Sequence, residues 1–478
     1  MHMVCVVIRA NSNPIITQHH LQVGNSFQAA ASYNQSFHGT VNLRVFHQMT
    51  TAIDRPAASR YRWTICALLF VATVIAYLDR GILGFLKVDL GKQIGWNDIT
   101  YGNISTAFKW GYGIGIVVAG WFTDWLGTRK AFAIAIVMWS IAAMSPGLAN
   151  SAITFGVAMF LLGICEAANF PACIKTVAEW FPKKERALAT SIFNSGANVG
   201  NMLPAAVVPV LVLAFTGPLG RDAWRGAFVV CGAIGFIWLV LWLRMYGKPE
   251  SHPRVSTTEL EYIQSDPPER LERVPWAKLL PCKETWAFGG AKFLTDGVWW
   301  FYSFWLPGYW QTTFNQKLGG TSLPLIVAFG VSTLGGLYGG YLSGALIKRG
   351  KSVGAARKTV LFLCAVCALP IVLMPLVPNL WCGVALAALA MAAHQAFSAN
   401  LFTVPSDLFP KAAVASVIGI GGALGACGGG LLDQYVSHMV KWTGSYIPVF
   451  SLCGTAYLLA LIPLNLLTPR YAPARPKY

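Results

Sequence analysis

Residues 61–80, YRWTICALLFVATVIAYLDR, constrain this chain more than any other stretch. They form a nearly unbroken apolar run that ends on Asp79 and Arg80. About 20 such residues suffice for a helix to cross a hydrocarbon core about 30 Å thick. In lipid the backbone must satisfy its own hydrogen bonds, which leaves only helices or closed barrels. Two ionisable groups inside the run are expensive in hydrocarbon and by default mark a site.

Composition extends this reading to the whole chain. Of its 478 residues 55% are apolar and only 12% charged, too few to clothe a soluble fold. The net charge of +17 would suit a nucleic-acid binder. The basic residues, however, sit mostly in short loops between apolar runs, the pattern of a membrane protein's cytoplasmic face, and nucleic acid is not an expected partner. Eleven cysteines are scattered, several inside apolar runs (Cys66, Cys165, Cys231, Cys453). The pair Cys364 and Cys367 lies in mid-span with no second pair, so these are apolar fillers rather than a redox or metal motif.

Apolar windows predict twelve transmembrane helices, near 63–85, 101–123, 130–148, 152–174, 187–213, 224–245, 286–311, 323–347, 358–376, 380–403, 412–437 and 444–468. The expected organisation is an N-terminal extension (1–60), a six-helix bundle (61–246), a cytoplasmic linker (247–284), a second six-helix bundle (285–470) and a tail (471–478). Basic loops before span 1 (Arg55, Arg60, Arg62), after span 2 (Arg129, Lys130) and after span 4 (Lys183, Lys184, Arg186) predict cytoplasmic termini. The halves carry a repeat. Phe181-Pro182-Lys183 recurs as Phe409-Pro410-Lys411, and Arg129-Lys130 recurs as Arg357-Lys358, both at the same offset along the chain. Two such halves with a site between them at mid-membrane are one way to build a transporter.

The loop around WFTDWLGTRK resembles the signature between spans 2 and 3 of the major facilitator superfamily, with Gly120, Asp124, Gly127, Arg129 and Lys130 all in place. The resemblance implies a gating role for Asp124 and Arg129. Four longer segments are similar to the hexuronate transporters of the anion:cation symporter family: YLDRGILG (77–84), residues 163–200, KFLTDGVWWFYSFWLPGYW (292–310) and AAHQAFSANLFTVPSDLFPK (392–411). That resemblance implies an all-α major facilitator fold in a bacterial inner membrane. The implied activity is import of glucuronate or galacturonate with protons, by a monomer that needs no cofactor. Related members carry galactonate, glucarate or other sugar acids, which remain alternatives.

A sugar acid needs a cation for its carboxylate, amides and phenols for its hydroxyls, and an aromatic face for its ring. Arg80 is the expected carboxylate ligand, because a planar guanidinium suits a carboxylate best, and Tyr77 shares its helix face. The resemblance makes Asp79 and Glu166 the proton-coupling pair. A carboxylate withdrawn from water can load a proton and lose it when a cation arrives. Related symporters carry an arginine two turns before this glutamate, where Met159 stands here; Lys109, three positions before Tyr112, is expected to supply the missing charge.

Span 5 places Asn194, Asn198 and Asn201 in one stripe, the first two for cargo and the third for helix packing. In span 7, Lys292 is either a second anion ligand or one half of an i, i+4 pair with Asp296, and Trp300 offers a stacking surface. In span 10, His394, Gln395 and Asn400 complete the expected cavity; His394 stands where the repeat places the counterpart of Glu166. The glycine run 419–430 lies inside span 11 and reads as close helix packing. No Walker loop, metal cluster or nucleophile–base arrangement is present, which disfavours an enzyme. A sugar-acid sensor lacks a signalling domain, and a cation exporter would need more acids than cations. Residues 1–48 are polar, without pattern, and are expected to be an extension with no role in transport. Trimming the chain to Met49 should therefore leave uptake unchanged in a vesicle assay.

Overall fold

The computed structural model describes residues 9–10, 13–14, 60–266, 276–472 and 474. Two compact units emerge, 1–57 and 58–478. Of the first, only Arg9–Ala10 (β1) and Asn13–Pro14 (β2) are described, paired antiparallel with Arg9 opposite Pro14. The expected N-terminal extension otherwise lies outside the described residues.

The second unit is helical throughout its described residues. Its long helices are α1 (Tyr61–Phe85), α2 (Asp98–Leu126), α3 (Thr128–Met144), α4 (Ala152–Glu166, continued by Asn169–Trp180), α5 (Lys183–Leu219) and α6 (Ala223–Met245). After the linker come α7 (Lys283–Phe304, continued by Leu306–Thr313), α8 (Ser322–Lys348), α9 (Val353–Ala368), α10 (Leu380–Leu401, continued by Val404–Leu408), α11 (Lys411–Thr443) and α12 (Ile447–Leu467). The interruptions in α4, α7 and α10 each have a proline just beyond them, at Pro171, Pro307 and Pro405. Proline has no N–H to offer the carbonyl four residues back, so the ladder breaks there.

The two halves pack alike. In the first, α1 lies on α5, α2 on α4 and α3 on α6; in the second, α7 lies on α11, α8 on α10 and α9 on α12. Between halves, α2 meets α11 and α5 meets α8. Glycine makes these approaches possible. A Cβ at Gly163 of α4 would run into the Phe108 carbonyl oxygen of α2, and one at Gly428 of α11 into the Phe293 carbonyl oxygen of α7. Gly200, the counterpart of Gly428 in the repeat, holds α5 against α1, where a Cβ would lie 2.5 Å from Tyr77 Cβ. The glycine run of α11 is thus a packing surface for α7 on one side and α2 on the other.

The halves are joined at the end where α1 and α7 finish. Gln311 Nε2 donates to Phe85 O at 3.2 Å, Tyr101 Oη to Phe304 O at 2.5 Å, and Ser322 Oγ to Ala205 O at 2.5 Å. At the opposite end the linker helix Thr257–Ile263 docks on the first half. Buried Glu259 accepts the backbone N–H groups of Tyr61 and Arg62, each at 3.1 Å, and so caps α1 where its dipole favours a negative charge. Arg62 bridges Glu259 at 3.0 Å and Glu185 at 2.9 Å.

Replacing Gly163 by valine should force α2 and α4 apart. Overpacking of this kind costs about 1–3 kcal/mol, read as a lowered midpoint in thermal melts of the detergent-solubilised protein.

Candidate functional site

Adjacent helical residues point about 100° apart, because a turn takes about 3.6 residues. Asp79 and Arg80 accordingly serve different neighbours. Asp79 turns into the first half, where its Oδ2 accepts the Trp139 Nε1–H of α3 at 3.1 Å and its Oδ1 has no hydrogen-bond partner among the described residues. Arg80 turns toward the boundary between halves and pairs with Glu166 of α4, Nη2 to Oε2 at 2.8 Å. Both side chains are buried, at 4% and 0% exposure.

Aromatic rings surround the guanidinium. Its Cζ lies 4.1 Å from the ring centroid of Tyr77, 5.4 Å from Tyr112, and 5.5 Å from both Phe108 and Trp300. Trp300 belongs to α7, so the second half closes a cage whose other walls come from α1 and α2. Arg80 Nε and Glu166 Oε1 are buried with no hydrogen-bond partner among the described residues. An isolated ion pair buried this way is poorly compensated. The spare donor and acceptor are suited to a polar molecule with a carboxylate.

A second charged pair lies close by. Lys109 of α2 is fully buried and makes a short ion pair with Asp433 Oδ2 of α11, while its Nζ also donates to Ser105 Oγ at 3.3 Å. Trp305 Nε1 donates to the other oxygen of Asp433 at 2.8 Å. Lys109 Nζ sits 5.6 Å from the Trp300 centroid and 5.0 Å from that of Phe304. The cation facing Glu166 is therefore Arg80, and Lys109 is committed to Asp433 across the halves. Met159 is buried in the core. Asp433 went unnoticed in the sequence, although a lone acid in an apolar run carries the same signal that marks Asp79.

The remaining candidates divide. Gln395 Nε2 donates to Asn198 Oδ1 at 2.8 Å, linking α10 to α5 between the halves. Lys292 pairs with Asp296 at 2.6 Å, the i, i+4 alternative. His394 bonds Tyr457 Oη through Nδ1 at 2.9 Å and stacks on Trp299 at 4.8 Å, inside the second half. Asn400 donates to the carbonyls of Gly339 and Ala396 at 3.0 and 2.9 Å, tying α10 to α8. Asn194 is exposed, and Asn201 is buried with Nδ2 lacking a partner among the described residues. In the signature loop, Arg129 donates to Leu243 O at 2.5 Å; the Asp124 side chain lies outside the described residues.

The twelve long helices among the described residues, in two matched halves with charges buried at their boundary, are those of a multi-pass membrane transporter. The chain belongs to the Major Facilitator Superfamily, whose profile matches residues 69–432. It is 30% identical over 415 residues to the hexuronate transporter of Escherichia coli strain K12, covering 84% of this chain and 92% of that one. It is 28% identical over 438 residues to a probable galactarate/D-glucarate transporter of the same strain, covering 87% and 96%. Among solved structures, the inward open xylose transporter XylE of Escherichia coli superposes with a TM-score of 0.66 at 13% identity, covering 87% and 97%. A bacterial homologue of the lysosomal transporter Spinster, inward-facing and unoccupied, gives 0.65 at 17%, covering 87% and 97%. These two share the fold. The chain is a transporter and not an enzyme.

Replacing Trp139 by phenylalanine removes the one hydrogen bond described for the Asp79 carboxylate. A buried polar group left unpaired costs about 1–3 kcal/mol, so the thermal midpoint should fall while Trp139→His, which keeps a ring N–H, should recover part of it.

Proposed function

We propose that this chain imports a sugar acid together with protons by alternating access, and that a hexuronate, glucuronate or galacturonate, is among its cargoes. The observation that carries the reading is the buried Arg80–Glu166 pair inside an aromatic cage built by both halves. Relatives named for hexuronate, galactarate/D-glucarate and D-galactonate transport support the sugar-acid class.

In this reading the cargo carboxylate takes the place of Glu166 on Arg80, in the bidentate geometry a guanidinium offers. Glu166, deprived of its cation in a dry site, takes up a proton, since a buried unpaired carboxylate is costly. The sugar ring lies on Trp300 and its hydroxyls meet Tyr77, Tyr112, Asn198 and Gln395. Asp79, one residue along α1, shares the proton load by resemblance to the symporter family and is linked to the cage through the rigid turn that carries Arg80. With the basic loops and both termini cytoplasmic, the joined end of the halves faces outward, in a bacterial inner membrane, and the monomer suffices.

Purified protein in proteoliposomes should exchange labelled glucuronate and accumulate it when the outside is made acidic. Glu166→Gln should keep exchange but lose accumulation, because a neutral amide fills the place of the protonated acid and cannot release a proton. Absence of exchange with every sugar acid, or accumulation by the glutamine variant equal to that of the natural chain, would sink the proposal.

A further inference from the structure

Two cations flank Trp300, and the reading above uses only one. Arg80 Cζ and Lys109 Nζ lie 5.5 and 5.6 Å from the centroid of the same Trp300 ring. Each is buried against a single carboxylate from a different helix, Glu166 for Arg80 and Asp433 for Lys109. The chemistry is repeated: cation, partner acid, shared aromatic wall. A lysine ammonium has three donors, and Asp433 and Ser105 account for two of those on Lys109.

Asp433, for its part, does not depend on Lys109 alone. Its second oxygen keeps the Trp305 N–H when the lysine turns away. The groups around it are Lys109 and Ser105 from α2 and Trp305 at the end of α7, with the Tyr101 ring 4.9 Å edge-on to Trp305 and its hydroxyl given to Phe304 O.

Resting on the sugar-acid reading of this site, we propose that Lys109 binds a second carboxylate, so that the preferred cargo is a six-carbon sugar diacid held at one end by Arg80 and at the other by Lys109. The hydroxyl-bearing carbons between the two ends lie along Trp300. Each incoming carboxylate displaces a resident one, and a displaced acid in this dry setting carries a proton. The diacid therefore travels with one proton more than a uronate of the same length.

The test uses the full chain in proteoliposomes, with labelled glucuronate exchange challenged by unlabelled glucuronate, glucarate or galactarate. The quantity read is the ratio of half-inhibitory concentrations, uronate over diacid. The natural chain should give a ratio of about ten or more, equivalent to one well-made charged contact. Lys109→Met alone strands Asp433, so the informative variant is Lys109→Met with Asp433→Asn, which removes both charges together and leaves an amide oxygen for Trp305. That double variant should bring the ratio to about one or below, and Lys109→Arg should keep the preference. Proton uptake per cargo, followed with a pH-sensitive dye, should be larger by one for the diacid. A natural-chain ratio near one, an unchanged ratio in the double variant, or equal proton counts would overturn the proposal while leaving uronate symport standing. Failure of every sugar acid to exchange would overturn both.

Discussion

The structure depends on how it keeps charge out of contact with hydrocarbon. A single ion at this depth is costly enough to thin the bilayer or draw water into it. The chain therefore buries most of its central charges as partners: Arg80 with Glu166 inside the first half, Lys109 with Asp433 between the halves, and Lys292 with Asp296 along α7, while Asp79 holds the Trp139 N–H instead. Such pairs contribute little net stability, because desolvation offsets most of the attraction. Their value is that they are poised. In the proposed reading a competing carboxylate exchanges with the resident one, whereas a well-packed apolar core offers nothing to exchange.

The surrounding architecture keeps that exchange local. Helix pairs α2–α4 and α7–α11 approach so closely at Gly163 and Gly428 that no side chain fits between them there. Between halves, contact is made by α2 with α11 and α5 with α8, the pairs that the proposed alternating access would part. Trp300 belongs to α7 but forms a wall of the Arg80 cage, so the cage is complete only where the halves meet.

Much of this was legible in the residues. Apolar length pointed to a many-helix membrane fold, two basic loops recurring at one offset pointed to two like halves, and adjacency on a helix foretold that Asp79 and Arg80 would part company. The partners were not legible. Nothing in the spacing of Lys109 says that it meets Asp433, far away in the other half, since this depends on how α2 and α11 cross. His394 shows where the repeat stops informing. Its repeat position matches that of Glu166, yet it is satisfied by Tyr457 and Trp299 within its own half. Duplication preserves the path of the backbone more faithfully than it preserves the work of a side chain.

The cap that Glu259 places on α1 has a mechanical corollary. The linker is fastened to the first half as far as Ile263, and the short helix Trp276–Leu279 packs against α11 of the second. Described contacts thus anchor the linker to both halves. Replacing Glu259 would free the first of these anchors without touching a single residue of the pocket.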